Sequence, residues 1–94
     1  MRSIQEIFDM CVTLKLTTSQ GDFSRLWGRA ESWFSSALSR QAERRLSTEA
    51  LLAFYFSLVE AEQHSDGNLD HGRITAIRQL RLEIWSEIAE RVRT

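Results

Sequence analysis

Ser19-Gln20-Gly21-Asp22-Phe23-Ser24-Arg25-Leu26-Trp27-Gly28-Arg29-Ala30-Glu31-Ser32-Trp33-Phe34-Ser35 decides the fold. Ser19 with Asp22 three residues later has the spacing of a capping box that opens a helix, although Asp is shorter than the usual Glu. Phe23, Leu26 and Trp27 then form one inward face, and Gly28 follows where a residue free to take positive φ ends a helix. This pattern predicts a short helix over 19–27. After the turn, Phe34, Ala37 and Leu38 share one side of a second short helix over 30–39, and Glu31, Ser32, Ser35, Ser36 and Ser39 share the other.

Working outward, Ile4, Ile7, Phe8, Cys11, Val12 and Leu14 recur at helical spacing and predict a first amphipathic helix over 3–15. On the other side, Gln41-Ala42-Glu43-Arg44-Arg45 reads as a charged connection. Ser47 or Thr48 then caps a fourth helix that runs to Gln63. Its centre, Ala50-Leu51-Leu52-Ala53-Phe54-Tyr55-Phe56, is apolar around almost the full circumference, so one face is left over for a partner subunit. His64-Ser65-Asp66-Gly67-Asn68 is a turn signal, and a fifth helix follows over 69–92. Ile74, Ile77, Leu80 or Arg81, Ile84, Trp85, Ile88 and Val92 make a seam along about 36 Å of that helix, longer than a three-helix core needs for cover. The fold class is therefore all-α: one five-helix domain over 1–94. A helix-turn-helix core spans 3–46 and a long C-terminal helical hairpin spans 47–94. Phe54, Phe56, Ile77, Ile84, Trp85 and Ile88 are the expected homodimer interface.

Composition limits the function classes. Ninety-four residues suit one domain. A chain of this size buries only about 60–65 % of its unfolded surface and gains from dimerisation. Twelve Lys and Arg against thirteen Asp and Glu argue against nucleic-acid binding by the whole surface, so any such face is local. All but one of the twelve cations are Arg, which favours bidentate contacts with carboxylate or phosphate. A lone Cys11 excludes an internal disulfide, and its place on the apolar stripe of the first helix makes it a buried small hydrophobe. No long apolar run or signal-like start is present, so no membrane association and a cytoplasmic location are expected. No Gly-rich phosphate loop, HExxH, nucleophile elbow or triad is present, and the serines at 32–39 have no neighbouring His to activate them, so no enzyme is expected. His64, Asp66, Asp70 and His71 match no ligand spacing; no metal and no cofactor are expected.

Ser19-Gln20, Phe23, Ser24 and Gly28 resemble the helix-turn-helix of the lambda-repressor-like, or XRE-type, DNA-binding family. That family starts its second helix with Thr/Ser-Gln, then has a large apolar residue, a small one, and Gly at the turn. Phe34 matches the residue that anchors its third helix, and Ser47-Thr48-Glu49-Ala50-Leu51-Leu52 matches its capped, Leu-rich fourth. The likeness spans residues 4–58, and the Phe-Ser-Arg…Gly-Arg…Trp-Phe-Ser run is also similar to short proteobacterial helix-turn-helix proteins. The resemblance implies a helix over 30–39 laid in the major groove of double-stranded DNA. It places Gln20 near the backbone and Ala30, Glu31, Ser32 and Ser36 toward the bases, with Arg29 adjoining them; Trp33, where the family often has a small residue, and Ser35 are further candidate DNA contacts on the same helix. Arg25, Arg29, Arg40, Arg44 and Arg45, the one basic concentration in the chain, would hold phosphates. The implied function is a small dimeric regulator of transcription, a repressor of bacterial or phage origin, on a pseudo-palindromic site.

A second reading comes from the residues themselves. Arg, Gln, Asn and Lys supply most specific base contacts, whereas this face offers Ser, Ala and Glu31, whose carboxylate is suited to a cytosine amino group. Trp33 is a large apolar residue suited to anchoring a protein partner or to packing on a neighbouring helix. The alternative is a protein-binding module on a helix-turn-helix scaffold, of the antiactivator or anti-CRISPR type, which binds no DNA. Trp27 and Trp85 sit in phase with apolar neighbours and read as core or interface residues.

Overall fold

Serine hydroxyls open three helices in the computed structural model, which describes residues 3–39, 46–63 and 71–93. Ser3 Oγ accepts from the Glu6 amide at the start of α1 (Ile4–Thr13), and Ser19 Oγ accepts from the Asp22 amide, at 3.1 Å, at the start of α2 (Gln20–Leu26). Only half of a capping box forms at Ser19, because the short Asp22 carboxylate turns instead to the Thr18 hydroxyl at 2.8 Å. Ser47 Oγ accepts from the Ala50 amide and caps α4 (Thr48–Gln63). With α3 (Trp33–Ser39) and α5 (His71–Arg93) the described residues are helical apart from turns and connections.

The first two helices end alike. Leu16 and Lys15 donate to the carbonyls of Cys11 and Val12, and Arg29 and Gly28 donate to those of Ser24 and Arg25. Both are Schellman closures, which require one residue in the left-handed region. Gly28 fills that place at φ 70°, as its position in the sequence predicts, whereas α1 uses Lys15 at φ 61°.

The core is aromatic. Phe23 stands at its centre with ring centroids of Phe34 at 4.8 Å, Phe8 at 5.1 Å, Trp27 at 5.9 Å and Phe54 at 6.1 Å. Trp27 lies flat on Phe54, 4.2 Å away and 5° from parallel. Ile4, Ile7 and Cys11 close this cluster from α1, and Leu51, Leu58, Ile77, Leu80 and Ile84 extend it along α4 and α5. The two long helices run antiparallel, since Glu62 meets Arg78 and Arg81, Tyr55 meets Trp85, and the Arg91 guanidinium donates to the Leu46 carbonyl. Arg73 Nε donates to the Leu14 carbonyl at 2.6 Å and ties the start of α5 to the end of α1. No helix among the described residues is long and apolar enough to cross a membrane.

Two expectations need correction. The helix predicted over 30–39 begins at Trp33, so residues 27–32 separate α2 from α3. A helix starting at residue 30 would bond the Phe34 amide to the Ala30 carbonyl. Here the Phe34 amide donates to Ser24 Oγ at 3.0 Å, and the Trp33 amide takes the Ala30 carbonyl instead. Four of the six residues assigned to a dimer interface, Phe54, Ile77, Ile84 and Ile88, are buried within the chain's own core. A helix apolar on nearly all sides predicts a partner, but α5 and α2 of the same chain already pack against α4. Only Phe56 and Trp85 of that set stay exposed. The predicted turn at His64–Asn68 lies outside the described residues, as do the side chains at Ala37, Leu38 and Ser39.

Candidate functional site

The buried Ser24 hydroxyl sets the geometry of the α2–α3 hairpin. It stands within hydrogen-bond distance of the Gln20 carbonyl (3.0 Å) and the Glu31 carbonyl (3.2 Å), between which its single proton is shared, and it accepts from the Phe34 amide. One hydroxyl thus binds α2 to the connection and to the first turn of α3. Sequence reasoning passed over it as merely small. The available signal was its phase: Ser24 falls three residues before Trp27 on the inward side of α2, where a polar group needs internal partners.

Around this clamp the predicted contact residues separate into pairs. Gln20 Oε1 accepts from Ser35 Oγ at 2.9 Å, joining the amino end of α2 to the outer side of α3 and leaving the Gln20 carboxamide nitrogen as a donor. Arg25 in the last turn of α2 is paired with Glu31 in the connection, with both side chains largely in solvent, 63 % and 66 % exposed. The Glu31 stem lies against Gly21, where a Cβ would stand 3.5 Å from Glu31 Cβ and Cγ. Ser32 and Ser36 are exposed, and Ser32 belongs to the turn that precedes α3. Trp33 is half-buried, its ring 5.6 Å from Trp27. It therefore extends the Phe54–Trp27 stack outward, which is the packing role weighed for it in the sequence. Trp27 Nε1 is buried among these rings without a partner.

Arg29 is aimed elsewhere. Its Nη2 donates to Ser47 Oγ at 2.7 Å, the same oxygen that accepts from the Ala50 amide, so a guanidinium rests at the amino end of a 16-residue helix. Arg40, Arg44 and Arg45 lie outside the described residues.

A second surface lies on the α4–α5 hairpin. Tyr55 packs between Phe56 and Trp85, with centroids at 5.6 Å and 5.2 Å. Phe56 is 59 % exposed, Leu82 55 % and Trp85 48 %. Beside them Glu62 accepts from Arg78 Nε at 2.6 Å and Arg81 Nε at 3.0 Å. The Arg78 hydrogen bond leads in holding the Glu62 carboxyl below its ordinary range, and the Tyr55 hydroxyl leads in raising Arg81. Trp85 was read as core or interface; it is outside the core. Cys11 is buried as expected, and burial pushes its thiol up to about 12. Among the described residues no group of three His, Cys, Asp or Glu is placed to hold a metal ion, and His64, Asp66 and Asp70 lie outside them.

Set against protein-family models, curated proteins and solved structures, the chain matches none of them.

Proposed function

We propose that this chain is a small DNA-binding regulator of transcription that offers the outer side of α3 to the major groove and grips phosphates from the flanks. The observation that carries this reading is Arg29 at the amino end of α4. A guanidinium beside the positive dipole end of a long helix is a phosphate-binding arrangement. Gln20, fixed by Ser35 with donors to spare, adds a second backbone contact, and Ser35 and Ser36 supply adaptable hydroxyls toward base edges. Two copies meeting through the Phe56–Trp85 surface would address half-sites about one duplex turn apart.

The test is fluorescence anisotropy with random-sequence duplexes about three helical turns long, across a salt series. Arg29→Ala should weaken binding and reduce the salt slope by about 0.9, one phosphate contact's worth. An unchanged affinity and slope, with helicity retained, refutes the reading. Sedimentation at micromolar concentration should give a dimer that Phe56→Glu converts to a monomer.

One observation favours the protein-binding alternative. The surface of exposed Phe56, Leu82 and Trp85 around half-buried Tyr55 has the aromatic character of an interaction hot spot, whereas α3 shows no cation among its described side chains. Under that reading wild-type protein binds no duplex even at low salt.

A further inference from the structure

We infer that Glu31 holds Arg25 away from DNA, so that the free protein carries a built-in attenuator of its own backbone grip; this rests on the DNA-binding reading above. The pair bridges the two sides of the α2–α3 connection, from the last turn of α2 to the turn before α3. That is the part of such a hairpin which approaches the duplex. Arg25 is exposed and long enough to reach a phosphate, but its guanidinium is occupied by a carboxylate whose stem is seated on Gly21. A Cβ at residue 21 would stand in ordinary van der Waals contact with the Glu31 stem, so this stem runs alongside the first turn of α2. Approach to DNA opens the pair and exchanges the Glu31 carboxylate for a phosphate oxygen on Arg25. It also brings the freed carboxylate toward the bases, where a cytosine amino group can satisfy it and other edges leave it repelled. Glu31 therefore sets the threshold for binding and biases it toward sites that present cytosine.

Both charges stand mostly in water, so the pair is weak and easily exchanged, which suits a threshold and not a lock. The experiment uses the full chain and random-sequence duplexes in anisotropy titrations over a salt series, with circular dichroism to check the fold. Glu31→Gln should tighten binding about two- to fivefold at low salt and steepen the salt slope by about 0.9, as one further phosphate contact is made. Adding Arg25→Gln should remove both the gain and the extra slope, which separates release of Arg25 from simple loss of a repelling charge. Selection of bound sequences from the random pool should show a cytosine preference for the wild type that Glu31→Gln loses. If wild type binds and Glu31→Gln binds no tighter, or keeps its gain without Arg25, the attenuator is overturned while the DNA reading stands. If none of the proteins binds duplex at low salt, both are overturned.

Discussion

Replacing Gly28 by alanine tests how the α2–α3 hairpin is closed. The residue sits at φ 70° in a Schellman closure, and a Cβ built there stands 3.1 Å from Ala53 Cβ on α4. An L-residue in the left-handed region costs about 1–2 kcal/mol. Restricting the unfolded chain returns about 0.4–1 kcal/mol of that. The methyl contact adds to the cost, because Ala53 has no flexible end to swing aside and the α2–α4 spacing must open by a few tenths of an ångström. The net expectation is a loss of roughly 1–2 kcal/mol, or a fall in Tm of about 4–16 °C for a domain of this size. Lys15 provides the internal control. It holds the same conformation at φ 61° at the end of α1, so Lys15→Gly should stabilise by up to about 1 kcal/mol. Thermal and urea unfolding followed by circular dichroism measure both. A Gly28→Ala variant within about 0.5 kcal/mol of wild type would refute the reasoning, since neither the φ penalty nor the Ala53 contact would then be real.

Ser24→Ala removes the hydroxyl that accepts from the Phe34 amide and leaves that amide buried without a partner. A loss of about 1–3 kcal/mol in urea unfolding is expected, and hydrogen exchange should speed up at Phe34 before it does in α4; a neutral variant would show that the clamp contributes nothing. Glu62, held below its ordinary range first by Arg78, binds its proton less readily folded than unfolded. Its stabilisation is thus complete above the unfolded value near 4.3 and is lost as pH falls through the lower folded value. Glu62→Gln should cost no more than about 1 kcal/mol at pH 7, with the gap to wild type closing below about pH 4; a gap independent of pH would remove this account.

The parts of the fold legible in the sequence are those governed by local rules. Ser3 is outside the predicted motif, but Ser19, Ser47 and Gly28 announce themselves by type and spacing, and the stripe Ile4, Ile7 and Cys11 fixes the buried side of α1. Lys15 does not announce its left-handed backbone, because no local signal marks a lysine for that conformation. The start of α3 was misplaced because the deciding interaction is tertiary: Ser24 takes the Phe34 amide from across the hairpin, and no pattern within 30–39 records it. The dimer assignment failed at Phe54, Ile77, Ile84 and Ile88 because periodicity shows that a face is apolar without showing what covers it. Among the candidate contacts, the sequence supplies the residues, while the pairing of Arg25 with Glu31 and the reach of Arg29 to Ser47 depend on how the connection folds back.

The two ends of the hairpin are held with very different strength. α2 is fixed by Phe23 and Trp27 deep in the aromatic core, and at its far end the Ser57 hydroxyl on α4 shares its proton between the Leu26 carbonyl at 2.9 Å and the Ala53 carbonyl at 3.0 Å. Among its described side chains α3 buries Phe34, with half-buried Trp33 beside it, and the Ser24 hydroxyl and the Gln20–Ser35 contact tie it to α2. Seven residues are too few for a helix to persist on its own propensity. α3 therefore depends on what α2 supplies, Phe23 packed 4.8 Å from Phe34 and the Ser24 hydroxyl on its first turn. Under the DNA-binding proposal, α2 and α4 are the platform that carries the outer side of α3 to the groove. Two described cations flank that platform, Arg29 at the cap of α4 and Arg25 paired with Glu31 across the connection, and in the proposed attenuator Glu31 decides when Arg25 is available.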